Sequence, residues 1–212
     1  MILPIALLMS QSLQAQHLSL GPSVGFGHAW MSNSDRVQFK PTFNVGATFI
    51  YSVVPHFGIG ADLQAHFMEG VCSEYDNGSS TARATVNATY LRLPVKFIYF
   101  FGNYGDRVRP KIYAGPSFGL LLGGKTVVKD MNSDYRVETN TRDLIRDFDF
   151  GIMAGAGINC RIRRATWLNL DLAYTHGLTD AGIADGYQAN RNISIAAGVT
   201  FPVGGGTKSA GK

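Results

Sequence analysis

Apolar residues alternate with polar residues or glycine along eight segments of the chain. The pattern is clearest over 147–161, where Met153 is the one departure from it. The apolar face of that segment contains Phe148, Phe150, Ile152, Ala154, Ala156, Ile158 and Cys160. A period of two indicates a β-strand, because successive side chains of a strand point to opposite faces. The eight strands predicted in this way are 18–30, 41–53, 57–69, 82–101, 110–123, 147–161, 166–176 and 192–202.

The connections between these strands alternate between long and short. Long loops are expected at 31–40, 70–81, 124–146 and 177–191, and shorter turns at 54–56, 102–109 and 162–165. This alternation is typical of outer-membrane barrels, whose loops are long on the outer side and short on the periplasmic side. A tilted strand of about twelve residues rises roughly 30 Å, the thickness of the hydrocarbon core. The predicted fold is therefore all-β, an eight-stranded antiparallel up-and-down transmembrane β-barrel over residues 17–202.

The two faces of the predicted strands differ in charge. The outward face, which includes Phe43, Leu63 and Phe97, contains no charged residue. The charged and imidazole side chains expected inside the barrel are Asp62, His66, Arg92, Lys96, Lys111, Asp149 and Asp171. An eight-stranded barrel has room inside only for side chains, so we expect these groups to pair into a polar core without a wide channel. Asp62 and Lys96 lie at similar heights on neighbouring strands and should be close.

Composition agrees with one domain that spans a membrane with strands. The 212 residues include 25 glycines, and 16% are charged. No run approaches the roughly 18 apolar residues that a membrane helix needs. Residues 1–15 are expected to be a signal peptide, truncated at its start because the usual positive segment is missing, with cleavage near Ala15. Residues 203–212 form a predicted C-terminal tail. The expected location is the cell outer membrane.

Cysteines and prolines give two further expectations. Cys72 should lie above the outer end of the third strand and Cys160 near the inner end of the sixth, too far apart for a disulfide. Two free thiols are therefore expected. Prolines at 22, 94 and 116 fall inside predicted strands, where a missing N–H breaks a ladder bond. We expect them to mark bulges.

Candidate chemistry is sparse in this sequence. Residues 119–126 match the spacing of a phosphate-binding loop, but no helix is predicted after them. His176 could act as a general base in a lipid hydrolase, yet no serine nucleophile stands near it in the sequence. The histidines lack metal-ligand spacing. The +4 charge is scattered, which argues against nucleic-acid binding. We therefore predict no catalytic, cofactor-binding or metal-binding residues, and no enzyme activity.

Several strand segments resemble one family. The segments are 90–96 (YLRLPVK), 110–117 (PKIYAGPS), 149–152 (DFGI), 170–178 (LDLAYTHGL) and 198–201 (GVTF). They look like the outer-membrane β-barrel domain of porin-like and PorT-like proteins in Bacteroidota. That resemblance implies the barrel fold and, because PorT-like members are associated with protein secretion, a secretion role as one option. It implies no functional residues.

The sequence leaves several functions open. The first is a monomeric, non-enzymatic structural or interaction scaffold of the cell envelope, embedded in outer-membrane lipid, with outer loops that bind an extracellular or envelope protein. The alternatives are a narrow pore, a secretion-system component and a lipid-acting enzyme. A soluble lipocalin-like barrel is the alternative fold, and it predicts an apolar interior.

Overall fold

The computed structural model describes residues 18–34, 36–76, 78, 81–103, 105–163, 166–182 and 188–203. The predicted signal peptide and residues 204–212 of the predicted tail lie outside these ranges. The strands are β1 Leu18–Met31, β2 Pro41–Val54, β3 Phe57–Glu69, β4 Cys72–Asp76, β5 Thr81–Phe100, β6 Val108–Asp130, β7 Arg136–Asn140, β8 Phe148–Arg163, β9 Thr166–Gly177 and β10 Asn190–Pro202. The described part of the chain contains no helix that is long and apolar enough to cross a membrane.

Eight of these strands close into a barrel. The order around it is β5, β3, β2, β1, β10, β9, β8 and β6, and β6 pairs with β5 to complete the circle. Every neighbouring pair is antiparallel. Closure removes the free edges that an open sheet would expose. The predicted eight-stranded antiparallel barrel is confirmed.

The outer wall of the barrel is apolar, as the alternation predicts. On β3, Leu63 is 53% exposed whereas the adjacent Asp62 is 6% exposed. Exposed apolar side chains of the predicted outward set include Phe43, Val45, Phe49, Phe57, Ile59, Leu63, Phe67, Leu91, Leu93, Phe97, Leu170, Leu172, Ile193, Ile195 and Phe201. Such a continuous apolar surface would be unfavourable in water and matches a surrounding layer of hydrocarbon.

Two predicted outer loops contain strands. β5 and β6 stay paired beyond the outer ends of the other strands, where Arg83 pairs with Lys129. We call this part of the two strands the hairpin extension. β4 joins the outer edge of β5, and β7 joins that of β6. The expectation of plain loops at 70–81 and 124–146 was therefore wrong. The charged residues in these segments suggested loops. Threonine and valine in the same segments favour strands, and charged side chains are tolerated on a sheet that is surrounded by water.

The bulges do not fall at the prolines. Pro22 pairs with Ala47, Pro94 with Ser117 and Pro116 with Ile152, and the registers run through all three positions without a shift. The prediction of proline bulges was wrong, because a missing N–H removes one hydrogen bond without requiring an extra residue. The register shifts occur instead at 52/54, 66/69, 89/90 and 161/163.

The two cysteines lie at opposite ends of the barrel. Cys160 pairs with Val108 and Leu168 near the turns that were predicted to be periplasmic. Cys72 begins β4 in the outer hairpin region, where its sulfur lies 3.5 Å from Thr85 Oγ1. Both are free thiols.

This placement predicts the labelling of cells by a membrane-impermeant maleimide. Intact cells should label the wild-type protein and the Cys160→Ser variant, because Cys72 lies on the outer side. The Cys72→Ser variant should stay unlabelled. Labelling of Cys160 from outside in that variant, measured by mass shift, would reverse the orientation of the barrel.

Candidate functional site in the barrel lumen

The middle of the lumen contains two lysine–aspartate ion pairs. Lys96 Nζ on β5 lies 2.7 Å from Asp62 Oδ2 on the neighbouring β3. Lys111 Nζ on β6 lies 2.8 Å from Asp171 Oδ1 on β9, so this pair reaches past the intervening β8. Both ammonium groups also face the ring of Tyr113, at 5.5 and 5.8 Å from its centroid. The first pair thus joins adjacent strands, and the second joins two strands that are not neighbours in the wall.

A second group of charges surrounds Arg92 nearer the outer end. Its guanidinium Nη2 lies 2.6 Å from Glu69 Oε2 and 2.7 Å from Asp149 Oδ2. His66 Nδ1 lies 2.9 Å from Glu69 Oε1, and its Nε2 lies 3.0 Å from Gln64 Oε1. The three charged side chains are at most 5% exposed. One cation therefore joins carboxylates from β3 and β8 across the lumen.

Glu69 was missed by sequence reasoning. The alternation along β3 places Asp62, Gln64 and His66 inside, which would turn residue 69 outward. Instead, Met68 adopts a φ of +63° at the register shift, is 41% exposed, and leaves Glu69 2% exposed. The sequence did contain a signal, because a strict alternation would put methionine inside and glutamate in hydrocarbon.

Apolar clusters close the lumen at both ends. Inside the inner end, Phe100 is fully buried, and the guanidinium carbon of Arg109 lies 4.1 Å from its ring centroid. That inner cluster consists of Ile50, Ile98, Phe100, Tyr113 and Met153. The outer cluster consists of Met31, Val71, Ala88, Tyr90, Leu121 and Ile145. The central cavity between them has a volume of about 40 Å³, which is room for only a few water molecules.

All seven residues predicted for the interior lie in the two charged groups of the lumen. Lys96, Asp62, Lys111 and Asp171 form the middle pairs, while Arg92, Asp149 and His66 belong to the outer group. The interior differs from the expectation in its apolar ends. The inner cluster contains Tyr113 and Met153, of which Met153 was seen only as an exception in a polar row.

The outer loops are fastened to the barrel and to one another. Lys40 Nζ donates to Asn87 Oδ1 at 2.6 Å, and Thr141 Oγ1 donates to the backbone oxygen of Asn87 at 2.9 Å. Gln38 N donates to the oxygen of Cys72 at 2.8 Å. Burial lowers the pKa of the Lys40 ammonium to about 8. The loops thus form a cap over the outer end.

The side chains considered for catalysis are engaged elsewhere. His176 Nδ1 lies 3.1 Å from the hydroxyl of Tyr174. Thr179 Oγ1 donates to Asp149 Oδ1 at 3.2 Å and accepts the backbone N–H of Phe150. Residues 119–126 lie within β6, so their glycines and lysine belong to a strand. Among the described residues, no group of three or more His, Cys, Asp and Glu could hold a metal ion.

Solved structures share this architecture. Neisserial surface protein A is 13% identical, with a TM-score of 0.53, over 87% of this chain and 96% of its own. The outer membrane protein OprG from Pseudomonas aeruginosa is 11% identical, with a TM-score of 0.50, over 87% of this chain and 93% of its own. At these identities the likeness concerns the fold. No curated protein sequence matches the chain significantly.

A closed eight-stranded ladder with an apolar wall and a polar, charged interior defines the class of outer-membrane β-barrels. The chain belongs to the family described as the outer membrane protein beta-barrel domain, which matches residues 9–181. The protein is located in the outer membrane.

The Arg92 group predicts a large and specific loss of stability. Arg92→Met would remove the guanidinium that both Glu69 and Asp149 share and leave their buried charges uncompensated by it, at a cost of about 3–5 kcal/mol in the free energy of unfolding. Arg136→Met is the matched control, because Arg136 pairs with Glu138 on the exposed β7 and its loss should change stability little. Urea unfolding in lipid vesicles, followed by the heat-modifiable gel shift, measures both. Equal stabilities would contradict this role for Arg92.

Proposed function

We propose that this protein is a non-enzymatic structural or interaction scaffold of the outer membrane. The barrel holds the chain in the bilayer, and the outer hairpins present a surface to an extracellular or envelope protein. The barrel works as a monomer, binds no nucleic acid and needs no cofactor.

The filled lumen is the observation that carries this proposal. Three ion-paired groups fill the interior between two apolar clusters, and the cavity among them has a volume of about 40 Å³. An aqueous path would have to separate buried charge pairs, each of which is costly to break. A sealed interior suits an anchor better than a narrow pore, which is the alternative.

The outer hairpins support an interaction role. The hairpin of β5 and β6 extends beyond the barrel with β4 and β7 on its flanks, and all five residues of β7 are exposed. Binding residues are found disproportionately on connections held by a rigid scaffold. The contact of His176 with Tyr174, rather than with a serine, favours this role over a lipid-acting enzyme.

The strand segments at 90–96 and 110–117 support a finer proposal. Their likeness to porin-like and PorT-like proteins suggests an origin in Bacteroidota and an association with protein secretion. Co-purification of the protein with secretion components after mild detergent extraction would favour that specific form of scaffold.

Conductance in planar bilayers tests the filled lumen. The wild-type protein should show no steady single-channel conductance, because the ion pairs occupy the cross-section. A variant with Lys96→Ala, Lys111→Ala and Tyr113→Ala removes the central side chains and serves as the opened reference, provided that it keeps heat-modifiable migration. Steady wild-type conductance equal to that of the opened variant would favour the pore and refute the sealed scaffold.

A further inference from the structure

One part of the lipid-facing wall breaks the apolar pattern. His28, Arg191 and His176 occupy outward positions near the outer ends of β1, β10 and β9, which are adjacent strands. Arg191 pairs with Trp30 on one side and with His176 on the other. In the described residues, the other outward positions of the eight barrel strands below the hairpin extension contain no charged or imidazole side chain except Arg163, which pairs with Thr166 at the inner end of β8.

Aromatic rings surround these three groups. The ring of His28 stacks on Trp30 at 5.2 Å and on Phe39 at 4.9 Å between centroids. Trp30 reaches across β10 to Tyr174, at 6.1 Å. Aromatic side chains of this kind are found where a barrel meets the membrane–water interface. We call His28, Trp30, Tyr174, His176 and Arg191 the outer girdle cluster.

Hydrogen bonds engage one ring nitrogen of each histidine in the cluster. His28 Nδ1 lies 3.0 Å from the backbone nitrogen of Lys40 and 3.2 Å from its backbone oxygen, so the main chain of the 31–40 loop engages this ring nitrogen. His176 Nδ1 lies 3.1 Å from the Tyr174 hydroxyl. Nε of Arg191 is buried and has no hydrogen-bond partner among the described residues. Two imidazole rings and one permanently charged guanidinium therefore gather on one side of the barrel, with Nε of the guanidinium covered by its neighbours.

We propose that the outer girdle cluster binds the phosphate of a lipid headgroup in the outer leaflet. A guanidinium is suited to phosphate because it offers several N–H groups and a permanent charge. A lipid is favoured over a soluble anion because the wall below the cluster is apolar. Phe26, Ile193 and Leu172 are 47%, 43% and 50% exposed there, and acyl chains would cover them.

Trp30 supplies a local fluorescence probe for this site. The chain has two tryptophans, and Trp167 is the second residue of β9, at the inner end of the barrel. In a Trp167→Phe background, emission therefore reports on Trp30 alone. Refolded protein in maltoside micelles, which contain no phosphate, is titrated with phosphatidic acid, with diacylglycerol and with inorganic phosphate in separate experiments.

Phosphatidic acid should change Trp30 emission saturably, whereas diacylglycerol should not. Arg191→Gln should weaken the apparent affinity about tenfold or more, as loss of a hydrogen bond to a charged group does. Lys129→Gln makes the same charge change in the outer hairpin and should leave the affinity unaltered. His28→Gln and His176→Gln, each a smaller change to the wall, should also weaken binding, and heat-modifiable migration shows which variants fold.

Three results would overturn the proposal. The first is an unchanged affinity of the folded Arg191→Gln variant for phosphatidic acid. If Arg191→Gln does not fold, an unchanged affinity in both histidine variants has the same meaning. The second is binding of diacylglycerol as tight as that of phosphatidic acid. The third is equally tight binding of inorganic phosphate, which would indicate a site for a soluble anion. The scaffold proposal does not depend on this site.

Discussion

Hydrocarbon offers no hydrogen-bond partner to backbone N–H and C=O groups, so a chain that crosses it with strands must satisfy those groups within the sheet. Pairing of β1 with β10 and of β5 with β6 meets this requirement in the described barrel. In the closed barrel, successive residues of each strand face the lipid and the lumen in turn. One face of every strand must therefore be apolar, and the other must fill a narrow lumen. Both properties of the wall therefore follow from one constraint.

The narrow lumen sets a second condition, because charges taken out of water are costly unless they are paired. Lys96 with Asp62 and Lys111 with Asp171 meet it as simple pairs, and Arg92 meets it with two carboxylates. The last arrangement explains the strained backbone at Met68, since its positive φ turns Glu69 toward the arginine. The apolar clusters at the two ends keep water away from these charges and lower the tendency of the pairs to separate.

The sequence predicted those parts of the fold in which alternation and membrane thickness act together. Strand number, the apolar wall and the approach of Asp62 to Lys96 belong to this part. Alternation could not show where β5 and β6 continue into water, because a charged residue such as Lys125 or Lys129 carries no penalty there on either face. The short strands β4 and β7 were missed for the same reason. Alternation also could not place Glu69 inside, because the shift depends on Met68, a residue without intrinsic preference for positive φ.

The central claim is that hydrocarbon covers the uncharged face of the strands, and a spin-label scan of residues 59–69 on β3 tests it most directly. Labels are placed singly in a Cys72→Ser, Cys160→Ser background, and collisions with lipid-soluble oxygen are measured in bilayers. Oxygen contact should be high at Ile59, Ala61, Leu63, Ala65 and Phe67, remain high at Met68, and fall at residue 69. Maxima at Asp62, Gln64 and His66 would contradict the account.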